Sequence, residues 1–143
     1  MDFKSPIASI MTRQPLHVEV DVKLIEVQRI FDNHKIHHLP VVQKGKMVGM
    51  ISRSDLQFFL KGLSNEAFEE ILNEVRLQEF CAGDIMSKGI VSVSSAVTLS
   101  QAIGLFYRNE FHALPIIDNG QLVGILTTHD IIKALMEENV IPS

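Results

Sequence analysis

Two short segments of this chain gather a hydroxyl, a basic or imidazole group and a carboxylate within four positions: Ser52-Arg53-Ser54-Asp55 and Thr127-Thr128-His129-Asp130. Each follows an apolar run opened by glycine, Gly49-Met50-Ile51 and Gly124-Ile125-Leu126. A strand that ends in a hydroxyl residue and opens a helix leaves the first N–H groups of that helix unpaired. The acid three positions on then has two uses. It can reach back to the backbone as the second half of a capping box, or it can face a cleft together with the hydroxyl. Arg53 and His129 stand at the same helix N-termini, which favour anions.

Histidines recur at a second place in each half. His37-His38 precede Leu39-Pro40, and His112 precedes Ala113-Leu114-Pro115. An imidazole there can hydrogen-bond a turn or meet an anion; with an unperturbed pKa of about 6.5 it would hold an anion weakly at neutral pH. His34, His37 and His38 also have the i, i+3, i+4 spacing of a helical zinc site. Only Asp32 stands nearby as a further ligand, and Pro40 ends helical geometry before His38, so no metal is expected and a metal-responsive module on these histidines is the lesser alternative. Cys81 has no matched histidine, and no G-x-S-x-G, Walker loop or paired-carboxylate site is present. No catalytic set is expected.

The elements that must position these residues are written twice. Ile10-Met11-Thr12 matches Ile85-Met86-Ser87, Leu39-Pro40-Val41-Val42 matches Leu114-Pro115-Ile116-Ile117, and Gly45, Gly49 and Asp55 match Gly120, Gly124 and Asp130, always 75 residues apart. Over Met11–Asp55 against Met86–Asp130, 12 of 45 positions are identical, where unrelated segments would share about three. Each copy begins with period-two alternation, Leu16–Val20 and Val91–Val93, which predicts a short strand. Leu24, Val27, Ile30 and Phe31, and in the second copy Leu99, Ala102, Ile103 and Phe106, then form an apolar helical face. Thr98 and Gln101 have capping-box spacing. Leu39–Gln43 with Met47–Ser52, and Ile116-Ile117 with Leu122–Thr127, read as hairpins around Gly45 and Gly120. Helix resumes after Asp55 and Asp130. Ser5-Pro6 predicts a capped short helix over Ile7–Met11. Between the copies, Phe68, Ile71, Leu72 and Val75 predict an amphipathic helix started by Ser64-Asn65, with Gly62 ending the helix before it.

The fold class is therefore α+β, two tandem β-α-β-β-α repeats with their sheets packed as a pseudo-two-fold pair. Residues 1–62 form the first repeat, 63–80 the connecting helix and 81–143 the second repeat. With 143 residues, 46% hydrophobic and 21% charged, the chain can bury a core without staples. One cysteine excludes an internal disulfide framework. A net charge of −4 gives no field for a nucleic-acid backbone. No apolar run approaches a membrane span and MDFKSP lacks the pattern of a signal peptide, so a cytoplasmic location is expected.

A duplicated β-α-β-β-α unit carrying Ile-Met-Thr, His-x-Leu-Pro-Val-Val, a glycine turn and Gly-h-h-Ser/Thr-x-x-Asp, where h is apolar, resembles a pair of cystathionine-β-synthase (CBS) domains, a Bateman module. The resemblance spans about residues 7–137. It implies a regulatory module and not an enzyme, one that senses an adenosyl compound (AMP, ADP, ATP or S-adenosylmethionine) in clefts between the copies and modulates a partner protein. AMP or ATP is the first expectation. It implies that Asp55 and Asp130, with Ser52 and Thr127, hold ribose. Arg53, His37, His38, His112 and His129 would hold phosphate, the second copy departing from the basic pair at Ala113. Pro15, Leu16, Ile90, Val91 and Ala113 would line the adenine slot. It also implies a homodimer packed through the helices after Asp55 and Asp130, where Leu56, Phe58, Phe59, Leu60, Ile131, Ile132, Leu135 and Met136 are too many for one small core. A fold-back of the central helix over Phe58 and Phe59 is the competing explanation. A structural or dimerisation pair without nucleotide is the alternative function.

Overall fold

The structure, a computed structural model, describes residues 1–61, 67–109 and 111–138. In chain order the elements are a 3-10 turn (Ile7–Ser9), β1 (Thr12–Arg13), β2 (Val18–Glu19), α1 (Leu24–Asn33), β3 (His38–Gln43), β4 (Lys46–Ser52), α2 (Arg53–Lys61), α3 (Ala67–Glu79), α4 (Ala82–Ile85), α5 (Leu99–Arg108), β5 (Ala113–Asp118), β6 (Gln121–Thr127) and α6 (Thr128–Glu137). This is the expected α+β class. The chain divides into two units, one of Leu16–Ile90 and one of Met1–Pro15 with Val91–Ser143. Among the described residues no helix is long and apolar enough to cross a membrane.

In the Leu16–Ile90 unit the sheet order is β2-β3-β4, with β2 parallel and β4 antiparallel to β3. A parallel neighbour needs a crossover, which α1 supplies. Leu24, Val27 and Phe31 form its buried face against Leu39, Val41, Ile51 and Leu56. The other unit repeats the plan. Its sheet is β1-β6-β5, Val93 bridges Ile116 in parallel, and Leu99 and Ala102 of α5 pack on Leu114, Ile116 and Leu126. Both hairpins turn through two residues of positive φ, Lys44 (52°) with Gly45 (78°) and Asn119 (53°) with Gly120 (78°). That pair matches the type I′ turn, whose twist suits a hairpin. Both carry a bulge at the same place, Val41/Val42 and Ile116/Ile117.

The leading segments are exchanged between repeats. Thr12 and Arg13, from the start of the first repeat, pair with Ile125 and Gly124 of β6. Ser87, from the start of the second, pairs with Met50 of β4 through two backbone hydrogen bonds of 3.0 and 2.8 Å. This exchange explains the two strand glycines. A Cβ on Gly49 would lie 2.5 Å from Met86 Sδ and 2.8 Å from the Ser87 carbonyl oxygen, and one on Gly124 would lie 2.8 Å from Met11 Sδ and 2.9 Å from the Thr12 carbonyl oxygen.

Four local expectations are revised. The strands expected over Leu16–Val20 and Val91–Val93 shorten to Val18–Glu19 and the single bridge at Val93. Ser5 caps nothing: its carbonyl accepts from Leu99 N–H (2.9 Å), Ile7 N–H donates to Val97 O (2.8 Å), and the helix shrinks to a 3-10 turn. The amphipathic helix forms as α3, but among its described side chains Leu77 is buried and Leu72 half-buried while Ile71 and Val75 are 62% and 50% exposed, so these two of its apolar positions stay uncovered. The fold-back covers only part of its target: Phe59 stacks edge-on to Phe80 at 5.2 Å, but Phe58 is 85% exposed. The caps expected at Gly62 and Ser64-Asn65, and the side chain of Phe68, lie outside the described residues. The Thr98–Gln101 capping box forms as expected.

Candidate functional site

Each unit holds one hydroxyl–carboxylate cap at a strand-to-helix junction. At β4–α2, Ser52 Oγ accepts from Asp55 N–H (3.0 Å) and Asp55 Oδ2 accepts from Ser52 N–H (3.0 Å). At β6–α6, Thr127 Oγ1 accepts from Asp130 N–H (3.1 Å) and Asp130 Oδ2 accepts from Thr127 N–H (2.9 Å). Both are reciprocal capping boxes, which satisfy N–H groups at the helix start. Each box occupies only one carboxylate oxygen. Asp55 Oδ1 accepts no hydrogen bond from the described residues, whereas Asp130 Oδ1 accepts from the Thr12 hydroxyl at 3.2 Å. Both carboxylates are half-buried at a helix N-terminus, which stabilises negative charge there. A half-buried carboxylate with an oxygen outside its cap can accept a hydroxyl pair.

A second strand brings the histidines to the same helix ends. Arg53 N–H donates to His37 O (2.8 Å) and Thr128 N–H to His112 O (3.1 Å). His37, His112 and His129 are exposed, and His38, which opens β3, is half-buried. Ala113, at the matching position of β5, is buried. His34 is already extended, because α1 ends at Asn33. The three histidines therefore share no helical face, and among the described residues no three His, Cys, Asp or Glu side chains are grouped to hold a metal.

Arg53, expected at phosphate, lies against the end of α1. Its Nη2 donates to Phe31 O (2.7 Å), Ile36 O (2.7 Å) and His34 O (3.0 Å), its Nε lies 3.2 Å from Ile36 O, and the guanidinium rests over the Phe31 ring at 5.1 Å. It is committed to backbone carbonyls. The five residues expected at the adenine divide between the units: Leu16 and Ile90 belong with Asp55, and Pro15, Val91 and Ala113 with Asp130. Pro15 is buried, Ile90 half-buried, and Leu16 and Val91 exposed. Reading the residues missed Thr12 as a partner of Asp130. The signal was present in the recurrence of Met-Thr and Met-Ser alongside Gly49 and Gly124, but pairing across repeats had to be assumed to use it.

The chain was compared with known proteins. A model of the CBS domain matches residues 7–62 and again 82–137. A protein of Methanocaldococcus jannaschii is 30% identical over 148 residues, covering 87% of this chain and 88% of the relative. The inosine-5′-monophosphate dehydrogenase of Thermoplasma acidophilum is 32% identical over 110 residues, 76% of this chain but 19% of the dehydrogenase. Among solved structures, CBSX2 in complex with AMP superposes with a TM-score of 0.77 at 23% identity, over 94% of this chain and 99% of that one; CBSX2 comes from Arabidopsis thaliana. A CBS-domain pair in complex with 5′-methylthioadenosine and S-adenosyl-L-methionine gives a TM-score of 0.71 at 20% identity, over 94% and 98% of the two chains. With two matched copies covering most of its length and the fold to go with them, the chain belongs to the CBS-domain family.

Proposed function

We propose that this CBS pair is a regulatory module that binds an adenosyl ligand, AMP or ATP first, and passes the binding to a partner protein. The observation that carries the proposal is the duplicated carboxylate that spends one oxygen on its helix cap and keeps the other outside it. In the Leu16–Ile90 unit, Asp55 and Ser52 hold ribose, His37 and His38 lie on the phosphate side, and Leu16 and Ile90 face the base. In the other unit, Asp130, Thr127 and Thr12 take the ribose, His112 and His129 the phosphate, and Pro15, Val91 and Ala113 the base. CBSX2 and the S-adenosylmethionine complex support the ligand class, since both folds carry adenosyl compounds. The two sites are unequal: Asp130 must release the Thr12 hydroxyl or share it, and Asp55 need not. Isothermal titration calorimetry against AMP, ADP, ATP and S-adenosylmethionine tests the reading. Saturable heat from at least one is expected; no heat from any overturns it in favour of a structural pair.

A further inference from the structure

We infer that Arg53 is a positioning residue, which fixes the histidine-bearing side of the Asp55 site by clamping the chain that follows α1. This rests on the adenosyl reading of that site. The last carbonyls of a helix have no partner within it. Here the carbonyls of Phe31, His34 and Ile36 converge on one guanidinium at 2.7–3.0 Å, and the Arg53 backbone N–H takes the next, His37 O, at 2.8 Å. A single residue therefore ties residues 31–37 to the first turn of α2, two positions before Asp55. The Phe31 ring, buried in the core, holds the guanidinium from its face. Nη2 meets all three carbonyls, Nε adds a contact to Ile36 O, and the flat guanidinium lies over the Phe31 ring; a lysine ammonium has neither the Nε–H nor the flat face, so it does not rebuild this clamp.

Among the described residues the other unit has no such clamp. Thr128 stands 75 residues after Arg53, keeps the backbone hydrogen bond to His112 O, and makes no side-chain hydrogen bond among the described residues. The C-terminal turn of α5 is closed instead by Asn109 Nδ2 donating to Leu105 O at 2.7 Å, a bond within its own helix that reaches no part of α6. The two sites thus differ in preorganisation: among the described residues the histidine side is fastened by a side chain at Asp55 and by backbone at Asp130. Ordering that need not occur on binding adds to affinity without a new contact.

Two measurements on Arg53→Ala and Arg53→Lys test this. The first is amide hydrogen exchange over residues 34–38 without ligand. Both variants should exchange there faster by about tenfold, the scale set by losing a charge-assisted hydrogen bond. The second is calorimetry with AMP and with adenosine, which lacks phosphate. A clamp predicts that both ligands weaken at the Asp55 site by the same factor, about tenfold, that lysine does not rescue, and that the Asp130 site, read in an Asp55→Ala background, is unmoved. Loss of AMP affinity alone, restored by lysine, would show a phosphate contact and overturn the inference. Unchanged exchange at 34–38 overturns it as well. If the unsubstituted protein bound neither ligand, the adenosyl reading would fall, and the exchange measurement would still decide the clamp.

Discussion

Substituting Gly124 by alanine probes the exchanged packing directly. The added methyl would meet Met11 Sδ at 2.8 Å, the Thr12 carbonyl oxygen at 2.9 Å and Met11 Cγ at 3.3 Å. A methionine side chain can swing away. The carbonyl cannot, because Thr12 and Arg13 are held in register with Ile125 and Gly124. β1 must therefore retreat by several tenths of an ångström, and overpacking of this kind costs about 1–3 kcal/mol. For a chain of this size that corresponds to a fall in Tm of roughly 3–10 °C. The retreat also draws Thr12 from Asp130, so the Asp130 site is disturbed while the Asp55 site is spared. Gly104→Ala is the internal control. The nearest atoms to its Cβ belong to the Arg108 guanidinium, 3.1 Å away at the end of a flexible side chain. Replacing a helical glycine there should stabilise by about 0.5–1 kcal/mol. Urea denaturation of both variants compares the midpoints. If Gly124→Ala were as stable as the unsubstituted protein, the claim that close approach of β1 demands glycine would be wrong.

Asp55→Ala and Asp130→Ala should each weaken AMP at their own site by about tenfold or more, the loss of ~1.5–3 kcal/mol expected for a charged acceptor; unchanged titrations with folding intact would leave these residues as helix caps only. Asp118 has its carboxyl held below the ordinary carboxylate range, first by the Ser95 hydroxyl and then by the Ser95 backbone N–H. The lowered pKa means that Asp118 stabilises the fold above the pKa of the unfolded chain and loses this as pH falls through the lower folded value. Ser95→Ala should therefore flatten the acid limb of a stability–pH profile, and an unaltered limb would exclude this pair as a contributor. The apolar residues left exposed on these helices, Phe58 of α2 with Ile132 and Met136 of α6, should pair two copies of the chain. Sedimentation equilibrium should give twice the 16.0 kDa mass and a monomer for Phe58→Asp with Ile132→Asp; a monomer before substitution counts against the interface.

What could be read from the residues divides by distance along the chain. The Gly45 and Gly120 turns, the Thr98 cap and the two S/T-x-x-D boxes each depend on partners within four positions, so residue type and spacing suffice. The duplication extended this reach, since it fixed the element order twice. The Arg53 clamp lies beyond it: its carbonyls come from 17 to 22 residues earlier, and an arginine at a helix N-terminus reads first as an anion site. The exposure of Ile71 and Val75 in α3 lies beyond it for a related reason. Ile71 and Val75 have core spacing, but a helix buries whatever its neighbours leave room for, and here that is Leu77. Exchange of the leading segments is invisible to any one repeat, because either copy of the Met-Thr motif would suit either glycine.

That exchange also sets an order in time. Leu16–Ile90 is continuous, so its sheet, including the bridge from Ser87 back to Met50, can close as soon as that stretch of chain has been made. The first fifteen residues have no such opportunity. Thr12 pairs with Ile125, 113 residues later, and Ile7 waits for Val97. During synthesis this segment is made before the Leu16–Ile90 unit yet finds its place after it, and closing so long a loop is slow. Until β6 emerges, Ile7 and Met11, which end in the core, remain in water, in reach of chaperones or of a neighbouring chain that has the same gap to fill.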